Sequence, residues 1–157
     1  MSKSANKIRF TIYAIAFIPF ILLLATGVIL LKYHTGAPLE STVMGWNAHY
    51  WFSFHKLTAV LSILLILLHL FVKTDWVKNL LLSKLKARFK ASNIILFIVF
   101  IICSLTALCS WLIFDGANIA ELLRGIHNKL GLLLIVMFVI HLWNYRKVIV
   151  SHCKELK

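Results

Sequence analysis

Four apolar runs, at about 10–31, 50–72, 93–114 and 126–148, govern what this chain can become. Each has the length of about 20 residues that a helix needs to cross the hydrocarbon of a bilayer. Helices are required there, because inside lipid every backbone N–H and C=O must find its partner within the chain. A water-soluble fold of 157 residues, 61% of them hydrophobic, could not hide so much apolar surface. The chain therefore reads as an integral membrane protein whose first partner is the lipid bilayer. The expected architecture is all-α, a transmembrane four-helix bundle. No linker or low-complexity tract interrupts it, so one domain over 1–157 is expected. Pro19 falls inside the first run and predicts a kink, which lipid-embedded helices tolerate.

The basic residues give the direction. Thirteen of the 17 Lys and Arg lie on one side: Lys3, Lys7, Arg9, Lys73, Lys78, Lys84, Lys86, Arg88, Lys90, Arg146, Lys147, Lys154 and Lys157. Lys32, Arg124, Lys56 and Lys129 lie at the other. The positive-inside rule then makes both termini cytoplasmic. Tyr33, Trp46, Tyr50, Trp51 and Trp111 would form the outer aromatic belt, and Tyr13, Trp76, Trp143 and Tyr145 the inner one. A net charge of +12 could suggest nucleic acid, but the cations flank apolar runs instead of forming one basic face, so no nucleic-acid partner is expected. The first run follows Lys3, Lys7 and Arg9 as a signal peptide would. It is too long for a typical signal core and lacks a small-x-small cleavage site, so it reads as a retained span. Val77, Leu81, Leu85 and Phe89 recur at helical spacing among lysines, which predicts a short helix on anionic lipid. Cys103 and Cys109 share one predicted helix, six positions apart, and cannot bridge each other; with Cys153 they imply no disulfide framework.

Two stretches carry the chemistry: HKLTAVLSILLILLH at 55–69 and HNKLGLLLIVMFVIH at 127–141. Ionisable residues inside a span are costly and usually functional. Fourteen positions at about 100° each bring both histidines of a stretch to one side of the helix, about 21 Å apart along its axis. The second and fourth spans run in the same direction, so His55 would lie level with His127 and His69 level with His141. Two parallel helices with imidazoles at matched depths make two bis-histidine sites, and a planar metal macrocycle fits such a pair. Haem is the expected occupant: its iron takes two axial ligands and its ring suits an apolar bundle. The carboxylate and thiolate ligands of many other metal sites are missing from the spans. Ala59 and Gly131, four positions after each outer histidine, leave room for a ring beside the backbone. A single span histidine reads equally well as an interhelical hydrogen-bonding group. The spacing of His55 and His69, repeated by His127 and His141, does not, and it suggests an internal duplication into two helical hairpins side by side. Lys56, Lys129 and Arg124, and Lys73 and Arg146 at the inner level, are placed either to snorkel or to pair with haem propionates. His49, beside Tyr50 and Trp51, either lies in water with His34 and His152 or lines a quinol or acceptor pocket.

The segments FHKLTAVLSILLILLHLFVKTDWV and IHNKLGLLLIVMFVIHLWNYRKVI resemble the pattern H-x-x-L-G…H-L-hydrophobic-x-W of small four-helix bacterial di-haem cytochromes b. They look most like the flavinylation-associated cytochrome family, and the ligand arrangement is similar to the core of respiratory cytochrome b. The resemblance implies that His55, His69, His127 and His141 are axial ligands of two haem b groups in a bacterial cytoplasmic (inner) membrane. It also implies electron transfer between the quinone pool and extracytoplasmic acceptors such as flavoproteins. Thr58-Ala59 stands where the second half has Leu130-Gly131, and no soluble flavin domain is attached.

Three roles remain open at this level. The chain could pass electrons across the membrane, as a quinol-linked oxidoreductase or the electron-transfer subunit of one. It could be a haem-bearing membrane anchor of a larger dehydrogenase or reductase, which the small loops favour. A histidine-lined transporter belongs to another class and would need a polar pathway that the spans barely supply. If quinol is oxidised, Asp115, Glu121 or Asp75 could accept its protons, or be ordinary loop carboxylates. No C-x-x-C-H sequence occurs, which argues against the usual c-type attachment.

Overall fold

The computed structural model describes residues 3–82 and 89–155. Lys84, Leu85, Lys86, Arg88 and Lys157 lie outside the described residues, as do the side chains of Lys3, Lys7, Arg9, Tyr13, Leu81, His152, Cys153 and Lys154. Among the described residues all regular structure is helical, apart from one isolated bridge between Val43 and Trp46. Helix α1 covers Lys3–His34, α2 Ala48–Val72, α3 Thr74–Leu81, α4 Lys90–Leu108 and α5 Asn118–Glu155. Between α4 and α5 a π-helical turn occupies Cys109–Ile113. Four segments are long and apolar enough to cross a membrane: Ala14–His34, Ala48–Val72, Lys90–Ile113 and Asn118–Ser151.

These segments match the four predicted runs, with three differences at their ends. α5 begins at Asn118 instead of near 126 and continues to Glu155, because hydropathy marks only the lipid-immersed part of a helix. The stretch NIAELLR is rich in helix formers, carries Glu121 in the first turn where the helix dipole favours an anion, and buries Ala120 completely. α1 likewise extends outward to Lys3, and Pro19 lies inside it. The third run ends α-helical geometry at Leu108, and the Phe114 N–H reaches the Cys109 carbonyl five residues back, at 3.0 Å.

The chain divides into two compact units, Met1–Lys78 and Asn79–Lys157. Each is built on a helical hairpin. In the first, the C-terminal end of α1 packs on the N-terminal end of α2 through Leu30, Tyr33, Ala48 and Trp51. The α2 side of this seam runs Ala48, Trp51, His55, Thr58 and Ser62, a 3-4-3-4 spacing that keeps one stripe against one neighbour. In the second unit α4 and α5 are antiparallel, with Asn93 meeting His141 and Cys103 meeting His127. The α5 stripe falls at steps of seven: Ala120 and Leu134 are buried, and His127 and His141 are partly so.

Polar residues share the buried seams with apolar ones, and many leucines face outward. Thr26, Thr58, Ser62, Asn93, Thr106 and Ser110 are buried, while Leu57, Leu61, Leu64, Leu68, Leu132, Leu133 and Val136 are exposed. Lipid solvates the leucines, so no hydrophobic gain comes from packing them inward; small and polar residues instead let helices approach. Most of the buried hydroxyls are satisfied by their own helix. Thr58 donates to the Phe54 and His55 carbonyls, Thr106 to those of Ile102 and Cys103, and Ser110 to that of Ala107.

The connections differ. Residues 35–47 form an ordered cap on the first hairpin. Met44 (φ 53°) and Gly45 (φ 82°) both lie in the left-handed region, and Val43 and Trp46 exchange N–H···O bonds of 2.9 and 3.1 Å around them. That is the signature of a type I′ turn. The Trp51 indole donates to the Val43 carbonyl at 3.1 Å and the Tyr33 hydroxyl to the Ser41 carbonyl at 2.9 Å, so both helices grip the cap. Asn47 caps α2 by accepting the Tyr50 N–H. In the second unit only residues 114–117 separate the π turn from α5. Of the predicted amphipathic helix, α3 contains Val77 and Leu81, while Phe89 follows the undescribed residues just before α4.

Candidate functional site

All four span histidines are half-buried and lie on membrane-length helices: His55 and His69 on α2, His127 and His141 on α5. In both units the first histidine is near the connecting loop and the second near the opposite end. For three of them the ring's Nδ1 is engaged by the hairpin partner helix.

His55 Nδ1 lies 2.8 Å from the Thr26 hydroxyl, which is 2% exposed. A threonine has one hydroxyl proton, and Thr26 donates it to the Leu23 carbonyl at 2.9 Å. With the proton so placed, the oxygen accepts from Nδ1–H. His127 Nδ1 lies 3.0 Å from the Cys103 carbonyl oxygen, which can only accept. His141 Nδ1 lies 3.2 Å from Asn93 Oδ1, and the Asn93 amide nitrogen donates to the Tyr145 hydroxyl at 2.8 Å. As placed, the Asn93 carbonyl oxygen faces the imidazole and accepts from Nδ1–H, while its NH₂ is used by Tyr145. In this arrangement the carbonyl partner requires the proton on Nδ1 of His127, and the same tautomer, with the lone pair on Nε2, satisfies His55 and His141. A histidine that ligates a metal through Nε2 is held in the same way, its other N–H donated to a protein acceptor.

Thr26, Asn93, Cys103 and Tyr145 are the site residues that sequence reasoning missed. Their sequence signal was slight: a Thr and an Asn in otherwise apolar runs. Cys103 is buried and its thiol lies 3.3 Å from His127 Nδ1, so it does more than fill space. Cys103 and Cys109 are both thiols, as their spacing requires. Around His141 the network is wider. Asn144 donates to the Ser92 hydroxyl at 3.2 Å, and the Tyr145 ring packs on the imidazole at 4.8 Å between centroids and on Phe89 at 5.8 Å.

The small residues also have defined surroundings. At Gly131, one turn after His127, a Cβ would meet nothing within 4 Å, whereas at Gly27 it would touch His55 Cε1 at 3.5 Å. A mid-helix glycine costs about 1 kcal/mol against alanine, and no neighbouring side chain accounts for Gly131. Ala59 is half-buried on α2. Ser62, midway between the two histidines of α2, is fully buried, and its hydroxyl alone among the buried side-chain N and O atoms of the described residues lacks a partner.

The remaining predicted site residues are peripheral. Lys56, Lys73, Arg124, Lys129 and Arg146 are exposed, and the Arg146 guanidinium stacks 3.8 Å above the Trp143 ring. His49 is exposed. Tyr50 is half-exposed and lies against Trp46 at 4.0 Å, while Trp51 is buried in the cap with its indole N–H used. The structure brings Tyr50 and Trp51 into one aromatic cluster and leaves the His49 side chain outward. Asp75, Asp115 and Glu121 are exposed.

Among the described residues no three His, Cys, Asp or Glu side chains converge as a cage for a bare metal ion. The donors present are instead imidazoles, two on each of α2 and α5, the type of nitrogen that serves haem iron as an axial ligand. No protein-family model, curated protein or solved structure matches the chain.

Proposed function

We propose that this chain is a transmembrane di-haem b electron-transfer protein. It would carry electrons across a bacterial cytoplasmic membrane between the quinone pool and an extracytoplasmic acceptor, with both termini cytoplasmic. His55 and His127 would hold one haem iron, and His69 and His141 the other. When bound, the haems supply reversible one-electron chemistry. The chain's own residues do the rest. Thr26, Asn93 and the Cys103 carbonyl hold imidazoles in the tautomer that offers Nε2. The leucine faces of α2 and α5 meet lipid and keep water from the seam. Gly131 leaves its flank of α5 open at the level of His127. Lys56, Lys129 and Arg124 at one end, and Lys73 and Arg146 at the other, have the length to reach propionates at the membrane surface.

One observation carries the reading. Two helices repeat a histidine pair at the same spacing, and three of those four rings are held at Nδ1 by the neighbouring helix of their own hairpin. Interhelical hydrogen bonding alone would need one such ring, not three within a repeated histidine pattern.

The test is electron passage across vesicles. Full-length protein in sealed liposomes with ferricyanide trapped inside should reduce it when a membrane-soluble quinol is added, at rates well above protein-free vesicles. His69→Ala and His127→Ala should each return the rate to the protein-free level. A protein that is reduced by quinol yet passes nothing inward would be a haem-bearing anchor subunit. A colourless protein that is never reduced would contradict the proposal and favour a histidine-lined transporter.

A further inference from the structure

The three Nδ1 partners are not alike, and each comes from the other helix of the hairpin. His55 meets a hydroxyl on α1, His127 a main-chain carbonyl on α4, and His141 a side-chain amide on α4 whose NH₂ is tethered to Tyr145. We infer that Thr26 and Asn93 are positioning residues that fix the histidine tautomers and set different donor strengths at His55 and His141, with Tyr145 acting through Asn93. The inference rests on the haem reading for its redox consequence, but its tautomer content stands on the geometry alone.

The chemistry runs through the shared ring. A hydrogen bond accepted from Nδ1–H pushes electron density onto the imidazole and makes Nε2 a better donor. A better donor stabilises the more positive, oxidised iron, so it lowers the reduction potential. Removing the acceptor should raise the potential of the haem concerned. An amide carbonyl oxygen carries more negative charge than a hydroxyl oxygen and is the stronger acceptor, so loss of Asn93 should act more than loss of Thr26. Asn93 is also anchored at both ends: Oδ1 accepts from His141 and Nδ2 donates to the Tyr145 oxygen, and the residue is buried. Turning its amide over would set NH₂ against Nδ1–H and lose the bond to His141, while the Tyr145 hydroxyl, which can donate as well as accept, would still pair with Asn93. The Nδ1–H form and the amide orientation therefore hold each other, and Tyr145 tethers the amide in place. The Tyr145 ring adds a second constraint by packing on the imidazole it helps to orient.

The same network makes the histidines separable. Thr26 lies at the loop end of its hairpin and Asn93 at the opposite end of the other, and they share no hydrogen-bond partner. A change at one should leave the other's imidazole untouched.

The experiment is a redox titration of the full-length protein with optical and electron-paramagnetic readout, together with ¹⁵N spectra of labelled histidines. The variants are Thr26→Val, Thr26→Ser, Asn93→Leu and Tyr145→Phe. Asn93→Leu should raise one midpoint potential and alter one low-spin signal while the other haem keeps its wild-type values. Tyr145→Phe, which keeps the ring, should move the same haem in the same direction by less. Thr26→Val should move the other haem, and Thr26→Ser should restore it. Wild-type potentials and signals in all four variants, with haem retained, would overturn the inference while leaving the electron-transfer reading intact. Equal shifts of both haems would also overturn it, since they would report a general loosening. Should the wild-type protein bind no haem, the electron-transfer reading fails and the ¹⁵N spectra decide. Loss of the Nδ1–H form of one histidine in Asn93→Leu then supports the tautomer lock, and an unchanged spectrum refutes it.

Discussion

The two hairpins solve one problem with different materials. Each packs an antiparallel helix pair around a seam that carries the same histidine spacing, and each secures its loop-side histidine from the neighbouring helix. The first uses the Thr26 hydroxyl; the second uses a backbone carbonyl, with the Cys103 thiol beside it. Midway between the histidines, the first seam buries Ser62 with an unpaired hydroxyl, and the second buries Leu134 at the matching place. The first hairpin closes through the ordered cap at 35–47, pinned by Trp51 and Tyr33; the second closes through a π turn and residues 114–117. What the halves share is the histidine register. What they do not share is most of what holds that register in place.

That contrast also explains what was legible in the sequence. The spans could be read because lipid demands about 20 apolar residues per crossing, and the histidine faces because helical geometry fixes where position i+14 points. The Nδ1 partners could not, since Thr26 lies 29 residues before His55 and Asn93 48 before His141. No local periodicity links residues on different helices. The ends of α1 and α5 were missed because a helix leaving the bilayer loses its hydropathy signal but not its hydrogen bonds. The π turn at 109–113 has no composition cue at all. The cap at 35–47 went unread, and Met44 at φ 53° is the kind of residue that turn rules do not anticipate.

The comparison can be broken or sharpened by substitution, most forcefully at the histidines. His55→Ala and His127→Ala should each reduce haem from about two per chain to about one, and His69→Ala and His141→Ala should do the same. Pairs chosen from one proposed site (His55 with His127) should cost no more haem than either alone, whereas pairs from one helix (His55 with His69) should remove both. Acid-acetone extraction with pyridine haemochrome spectra would read this. Identical behaviour of the two pairs would break the proposed ligand assignment.

Trp51→Ala should destabilise the first hairpin by about 3–5 kcal/mol, the usual cost of truncating a buried aromatic, through loss of the Val43 bond and the Leu30–Tyr33 packing. Hydrogen exchange should then rise across α1, α2 and residues 35–47 and stay at wild-type levels in α4 and α5. Equal loosening of both halves would show that the units are not energetically separate. Ser62→Ala should stabilise the protein by about 1 kcal/mol or leave it unchanged, because it removes a buried hydroxyl that has no partner. A loss of about 2 kcal/mol or more in thermal melts would show that the hydroxyl is used. Gly131→Ala offers the finest discrimination. In haem-free protein it should raise helix stability by about 1 kcal/mol. In the loaded protein the added methyl should instead weaken retention of one haem, and a gain in both states would mean that no ring lies beside Gly131.

The most direct test of the account is a dithionite-reduced-minus-oxidised absorption spectrum of the purified protein, with haem measured per chain. The account predicts sharp low-spin b-type bands and about two haems per chain. A colourless protein expressed with ample haem would contradict it, whatever its histidines do among themselves.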